Sequence, residues 1–445
     1  MVTETLAEEV LQDLLRSAWI VSSARGSMYE SWSSVDSRYE ESARRARRQA
    51  EIVATSLDAT GRSPDHDLVE PHVAWMRNLL GEGPDDTPLG PLFVVRLGDW
   101  VQAHTADFLA EGVDEFKRLG DEERAGVVFP SSLPDPPPFE PLRTPEVDLP
   151  GEVVFRFGIL GDLHIGSQRA EQAVRAAISD LNESGAELVI QLGDITDAGN
   201  RQEFQLAAQI LEGLEMPFVT MLGNHDVFAR SEGRLSGHEY YSPLFGREAD
   251  GVLLEHKGFR FAVLDSADVG ASPFAPFDLV AGTFTEGPGG AVVGGALTPP
   301  QHDILADVAA PGGAPTFVFL HHPPQPFTSF PPVLFGLRDS DTGRLHATCE
   351  SGNVWGVFAG HTHRNARPRT FGHVPVQEVG IPRDFPFGFA VVDVAKEGYA
   401  YRFLQLSDQD LVERMTPSAT AIHRRYGRGR DDELAFSWTR PQAPS

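Results

Sequence analysis

The chain of 445 residues has a single cysteine, Cys349, so neither a disulfide framework nor a thiolate metal cluster can be built within it. Positive charge is also scarce: 37 lysines and arginines stand against 64 acidic residues, a formal net charge of −27. A field of that sign repels polyanions, which argues against long nucleic acid and anionic membrane surfaces as partners. A small anion held by metal ions is not excluded, because bound cations dominate the local charge. Long apolar runs are missing: nothing reaches about eighteen residues, so no transmembrane helix is expected. The N-terminus, MVTETLAEEVLQDLL, lacks the basic start and apolar core of a secretory signal, and the expected compartment is the cytoplasm. No repeat of fixed period marks a solenoid or propeller.

What is present is an ordinary globular composition, 41% hydrophobic and 23% charged, long enough for two or three domains. Residues 1–128 read as an all-α helical bundle. Thr5-x-x-Glu8 resembles a capping box, and Leu6, Val10, Leu14 and Leu15 share one helical face. Tyr29, Trp32, Val35, Tyr39, Ala43, Ala46 and Ala50 continue at helical spacing, and further helices are expected over 67–80 and 91–118. Residues 129–150 are proline-rich and read as a semi-rigid linker. From 151 to 408 short apolar runs alternate with helical spacing, the signature of a layered α/β domain with a mostly parallel sheet. Strands are expected at 153–160, 188–192, 218–222, 252–257, 259–265, 316–320, 354–359, 374–379, 387–394 and 399–405, with a hairpin turn at Lys257-Gly258. Residues 409–445, with Arg424, Arg425, Arg428 and Arg430, read as a flexible tail.

In open α/β sheets, functional groups gather beyond the carboxyl ends of strands. Five apolar runs here end in metal-competent turns: Gly161-Asp162-Leu163-His164, Gly193-Asp194, Gly223-Asn224-His225-Asp226, His321-His322, and Gly360-His361-Thr362-His363. Six of the fifteen histidines fall in these turns. One Asp-x-His in a loop is ordinary surface, and a histidine pair before proline is ordinary packing; the ordered set is what carries weight. The four glycines would let the backbone bend tightly beside the ligands. Oxygen and imidazole ligands without sulfur suit Mn, Fe, Zn or Co. Seven groups, Asp162, His164, Asp194, Asn224, His321, His361 and His363, exceed one ion but fit two sharing a carboxylate. Two metals roughly 3.5–4 Å apart stabilise the attacking and leaving oxygens of a displacement at phosphorus, with a hydroxide between them as nucleophile.

This ordered set resembles the calcineurin-like metallophosphoesterase family over roughly residues 153–405. The resemblance implies a four-layer α/β sandwich with two mixed sheets and two divalent metal ions. Asp162, His164 and His363 would hold the first ion and Asn224, His321 and His361 the second, with Asp194 bridging. His225 would be the helper beside the scissile phosphate, giving a proton or hydrogen bond to the leaving alkoxide, with Asp226 orienting it. GDITDAGNRQEFQLAAQILEGLEMPFVTMLGNHD is similar to the bacterial cyclic-nucleotide and glycerophosphodiester phosphodiesterases. Purple acid phosphatases carry a metal-bound Tyr where this chain has Asp197, and protein serine/threonine phosphatases end the third motif in Glu where it has Asp226.

The expected function is therefore metal-dependent hydrolysis of a small phosphodiester. The rivals are a phosphomonoesterase on a nucleotide or sugar phosphate, and a non-catalytic scaffold on the same fold. The expected partner is a small phosphate ester, with homo-oligomerisation possible through the N-terminal domain. Of the weaker features, Phe327, Phe330 and Phe335 lie in a loop that either lines a pocket or packs locally. Of Arg364, Arg367, Arg369 and Arg383, one is a candidate phosphate contact. His322 reads as packing or support for its neighbour, and Asp265 as a structural group. Glu30, Glu70, His72, His104 and Asp107 in the helical region lack the Glu-x-x-His spacing of a di-iron bundle.

Overall fold

The computed structural model describes residues 19–20, 22–31, 33, 39–59, 69, 73, 140–227, 237–267, 295–324, 336–337, 339–367, 370–416, 424 and 427–441. The chain divides into two compact units, Met1–Asp135 with Pro326–Leu334, and Pro136–Gln325 with Phe335–Ser445. None of its described helices is long and apolar enough to cross a membrane.

In the first unit the described residues are helical. α1 (Tyr39–Ala59) buries Ala43, Ala46, Val53 and Leu57, an i, i+3, i+10, i+14 series that keeps to one face. Trp19, Ile20, Ala24, Met28 and Tyr29 are buried in the preceding helical stretch. Glu30 forms an ion pair with Arg47. The capping box at Thr5, most of the helices expected over 67–80 and 91–118, and Glu70, His72, His104 and Asp107 lie outside the described residues.

In chain order the second unit runs β1 (Val153–Leu160), α2 (Ala170–Glu183), β2 (Leu188–Gln191), α3 (Arg201–Leu211), β3 (Phe218–Val219), α4 (Asn224–Val227) and α5 (Gly237–Phe245). It continues with β4 (Val252–His256), β5 (Phe259–Leu264), α6 (Pro299–Val308), β6 (Thr316–Leu320), α7 (Asp339–Ser351) and β7 (Val354–Ala359). It closes with β8 (Thr370–Phe371), β9 (Val374–Glu378), β10 (Gly388–Ala395), β11 (Gly398–Gln405), α8 (Gln409–Met415), α9 (Asp431–Leu434) and β12 (Ala435–Thr439). One sheet has the order β12-β11-β10-β1-β2-β3 and the other β4-β5-β6-β7-β9-β8. Both are mixed. β1, β2 and β3 are parallel, with β10 antiparallel beside β1. β5, β6, β7 and β9 are parallel, with antiparallel β4 and β8 at the edges.

Side-chain alternation makes the layers. Phe157, Ile159, Phe261, Phe317 and Phe319 fill a core between the two sheets, together with Tyr399 and Tyr401. Phe157 meets Phe261 edge-on across that core, ring centroids 5.2 Å apart. On the opposite strand faces, Leu160 and Val189 join the buried sides of α2, α3 and α8, while Val318, Leu320 and Val357 join α6 and α7. Three cores separate four layers, helix, sheet, sheet, helix. Strands buried on both faces read as unbroken apolar runs, which is why they show in the sequence. The hairpin turn is found at Lys257 (φ 48) and Gly258 (φ 83), both in the left-handed region that a two-residue turn demands.

Three local expectations are corrected, and one helix is new. β3 is two residues, not the run 218–222, because the chain leaves the ladder: Thr220 Oγ1 meets the Tyr241 hydroxyl at 3.0 Å, and the Leu222 amide donates to Asp265 Oδ1. α6 was hidden in Gly/Pro-rich sequence, yet its prolines sit at the first helical positions, where a missing N–H costs nothing. The last residues of the proline-rich segment do not hang free, since the Leu142 amide donates to Gln405 Oε1 (3.0 Å) and Leu142 packs on the inter-sheet core. The tail expected over 409–445 contains α8 and α9 and the edge strand β12, paired to β11 from Ala435↔Arg402 to Thr439↔Gly398. Phe436 and Trp438 carry that strand into the inter-sheet core.

Candidate metal centre

β1, β2 and β3 of one sheet and β6 and β7 of the other end in the same region, so the five turns converge. Asp162, His164, Asp194 and His363 bring one donor atom each within 4.8 Å of one another, as do His321, His322 and His361. His164 Nε2 lies 2.9 Å from His363 Nε2 and 3.5 Å from Asp194 Oδ2, and His363 Nε2 lies 3.3 Å from Asp162 Oδ2. On the other side of Asp194, Oδ1 is 3.5 Å from His321 Nε2, which is 3.1 Å from Asn224 Oδ1. Asp194 thus turns one oxygen toward each group. The structure brings all seven candidate ligands into two adjoining clusters that share it.

The backbone is bent to achieve this. His164 (φ 47), Asp194 (φ 48), His361 (φ 70) and His363 (φ 54) are all left-handed. Such residues persist only where surrounding contacts over-determine them, at about 1–3 kcal/mol each. Those contacts are visible. The Leu163 and His164 amides donate to the Asp194 carbonyl at 2.8 and 2.9 Å, and the His361 amide donates to Asp162 Oδ2 at 2.8 Å. Of the four turn glycines, only Gly193 has positive φ, at 89°. The other three serve close approach: a Cβ at Gly161 would stand 2.7 Å from the Gly380 carbonyl oxygen, and those at Gly223 and Gly360 would collide with the Asp194 and Asp162 carboxylates.

Imidazole orientation is set through Nδ1. His321 Nδ1 donates to the Leu192 carbonyl (2.8 Å), and His363 Nδ1 meets Asp384 Oδ2 (2.8 Å). Occupying Nδ1 fixes the tautomer that leaves Nε2 for a metal. Burial depresses His164 and His361 well below the ordinary imidazole value and also lowers His321, which keeps these rings neutral with a lone pair to offer. Asp194 is raised well above the usual carboxylate range, by burial and then by the Asp162 charge. Burial pulls His363 down, but hydrogen bonds to Asp162 and Asp384 prevail and lift it to about 9.

These residues fit two divalent cations. Asp162 Oδ1 is fully buried and has no hydrogen-bond partner among the described residues, a cost that a cation removes. Donor separations of 2.9–3.5 Å among His164, His363, Asp162 and Asp194 are short enough for these residues to hold one ion between them. The donor set, without sulfur, suits Mn, Fe or Zn.

His225 and Asp226 have separate tasks. His225 Nδ1 meets the Asp197 carbonyl at 2.7 Å, and its ring stands edge-on to His164, centroids 4.5 Å apart. Asp226 does not take the orienting role expected of it. Its Oδ1 accepts from the Thr196 amide and hydroxyl, and its Oδ2 from the Ile195 and Gly223 amides, which ties the second motif to the third. Burial raises it to about 6. Arg364 is buried in a two-pronged pair with Glu378, while Glu378 also accepts from Thr362 of the last motif. Arg367 pairs with Asp432 over the Phe436 ring. Asp265 is structural, holding Arg247 and the Leu222 and Gly251 amides. His322 Nδ1 lies 2.9 Å from Ser266 Oγ. Phe327, Phe330, Phe335 and Arg369 lie outside the described residues. Asp384 was not foreseen; its only sequence signal is an acidic residue shortly after the apolar run of β9.

The chain is similar to several known proteins. A protein named probable cyclic nucleotide phosphodiesterase, from Rhodococcus erythropolis, is 26% identical over 49% of this chain and 67% of its own length. Glycerophosphodiester phosphodiesterase GpdQ of Enterobacter lignolyticus is 26% identical over 46% of this chain and 69% of its own. The crystal structure of a dimetal phosphatase from Danio rerio covers 65% of this chain and all of its own, at 15% identity and a TM-score of 0.45. The family model described as calcineurin-like phosphoesterase matches residues 155–365, the stretch that carries every one of the five motifs.

Proposed function

We propose that the domain hydrolyses a small phosphodiester, a cyclic nucleotide or a glycerophosphodiester, with two divalent cations. The observation that carries this reading is Asp194, whose two oxygens face two separate sets of ligands. When bound, such a pair of ions lowers the pKa of water toward neutrality and neutralises phosphate charge. The residues of the chain supply the rest. The Asp197 carbonyl fixes His225 through Nδ1, which assigns proton exchange with the leaving alkoxide to Nε2. Asp226 and the Gly193 turn hold the second and third motifs in register, so that Asp194 and Asn224 keep their separation. The names of the two relatives favour a diester over a monoester.

The test is hydrolysis of bis-p-nitrophenyl phosphate by metal-stripped protein with Mn, Fe(II), Zn or Co restored, beside Asn224→Ala. Metal-dependent turnover that collapses in the variant supports the proposal. Cleavage of p-nitrophenyl phosphate alone would replace it with a monoesterase. Folded protein that takes up no metal would replace it with a scaffold.

A further inference from the structure

The loop after β9 places Arg383 between two carboxylates that already support the site. Asp384 Oδ2 holds the His363 ring at 2.8 Å. Asp197 Oδ1 lies 3.2 Å from His164 Nδ1, and the carbonyl of the same residue holds His225. Arg383 approaches both: Nη1 is 3.6 Å from Asp197 Oδ1, and Nε is 3.7 Å from Asp384 Oδ1. Those separations are ion-pair contacts, too long for hydrogen bonds. The Nε–H is buried with no acceptor among the described residues. The side chain as a whole remains 21% exposed, so part of the guanidinium faces solvent. Its charge is felt at both His164 and Asp194.

The contrast with Arg364 and Arg367 is informative. Their guanidinium groups are hydrogen-bonded to Glu378 and Asp432. Arg383 is instead held in place by charge while its planar fork of donors stays available, the arrangement that suits an oxyanion. The two carboxylates balance its charge when no substrate is present, so it is not an uncompensated cation beside a partly buried site.

Building on the phosphodiesterase reading, we propose that Arg383 is a substrate-binding residue whose guanidinium donates to a non-bridging oxygen of the substrate phosphate, on the side of the site where His225 stands. Asp197 is the common anchor, holding His225 through its carbonyl and Arg383 through its carboxylate. Donor and charge clamp would then meet the same phosphate from separate segments, both steadied by Asp197.

The experiment is calorimetric titration of inorganic phosphate into Mn-loaded wild type, Arg383→Gln and Arg383→Lys, with Mn affinity measured for each. Loss of a charge-assisted contact predicts phosphate binding about 10- to 100-fold weaker in Arg383→Gln, with Arg383→Lys intermediate and Mn affinity unchanged. Equal phosphate affinity in all three proteins would overturn the assignment. So would a loss that follows weakened Mn binding and vanishes at saturating Mn, since Arg383 would then only position Asp197 and Asp384. Arg383→Lys keeps the charge and serves as the informative variant should Arg383→Gln not fold. Wild type that binds phosphate but cleaves no diester would defeat the phosphodiesterase reading and leave Arg383 to be judged on the phosphate data. Wild type that binds no phosphate would overturn the Arg383 assignment and leave the phosphodiesterase reading to the hydrolysis assay.

Discussion

Gly193→Ala isolates the demand that the metal centre makes on its backbone. Gly193 has φ 89°, and a Cβ there would lie 2.7 Å from His321 Nδ1, 2.9 Å from His321 Cγ and 2.9 Å from the Gly223 amide nitrogen. An alanine held at that φ costs about 1–3 kcal/mol in backbone strain. Relieving the contact with His321 requires its ring to move by about 0.5 Å, which stretches the 2.8 Å bond from Nδ1 to the Leu192 carbonyl and adds about 1–2 kcal/mol of overpacking. Together these lower the melting temperature by on the order of 5–15 °C. The displacement also exceeds the tolerance of about 0.2 Å for metal–ligand distances, so the cluster around His321 loses affinity while that around His164 is less affected. The control is Gly343→Ala. Gly343 lies in α7 with open space where a Cβ would go, and alanine there stabilises by about 0.4–1 kcal/mol. Thermal melts and metal content by mass spectrometry read both effects. A Gly193→Ala protein that melts like wild type and retains two metals would refute the strain argument.

Metal uptake at pH 7 should release a proton from His363, because that ring, lifted to about 9, is protonated there while a metal requires its lone pair. The sign follows: affinity climbs with pH up to about 9 and then levels, and the metal-free protein loses the contribution of this ring to stability as pH rises from about 6.5 through about 9. Calorimetry in two buffers of different ionisation enthalpy counts the proton; a count of zero contradicts the reading. Asp384→Asn removes an acceptor that favours the imidazolium, so the levelling point moves to lower pH, and above it metal affinity falls about 10- to 100-fold. Trp438→Ala removes a ring packed on Trp355 (5.2 Å) and Tyr399 (5.5 Å), together with a donor to the His373 carbonyl. It should cost about 3–5 kcal/mol in denaturant melts, and an unchanged midpoint would show β12 to be dispensable.

The positions of the site were legible because a strand buried on both faces leaves an uninterrupted apolar run, and the residue after such a run is by geometry at the sheet's carboxyl end. Phe317 to Leu320 alternates between two cores and then delivers His321; Val354 to Ala359 does the same for His361. Nothing comparable announces the left-handed backbone at His164, Asp194, His361 and His363, since that conformation is imposed by partners distant in sequence: Asp194 takes the amides of Leu163 and His164, and Asp162 takes the amide of His361. Asp226 shows how chain adjacency misleads. It follows His225 directly, yet adjacent side chains diverge, and its carboxylate closes onto residues 195 and 196 instead. Asp384 supports a ligand twenty-one residues away across the β8–β9 hairpin, and β12 is a five-residue strand preceded by arginines and aspartates that read as solvated chain. In each case the unseen feature is a hydrogen bond or packing contact between distant segments, whereas each visible one is a local consequence of burial. A ligand's identity is therefore read from the residue itself, and its reactivity from a neighbour such as Asp384 or Asp197 that only the fold supplies. That division is why Arg383 stands apart from the other described arginines, Arg364 and Arg367, only once Glu378 and Asp432 are seen to engage them.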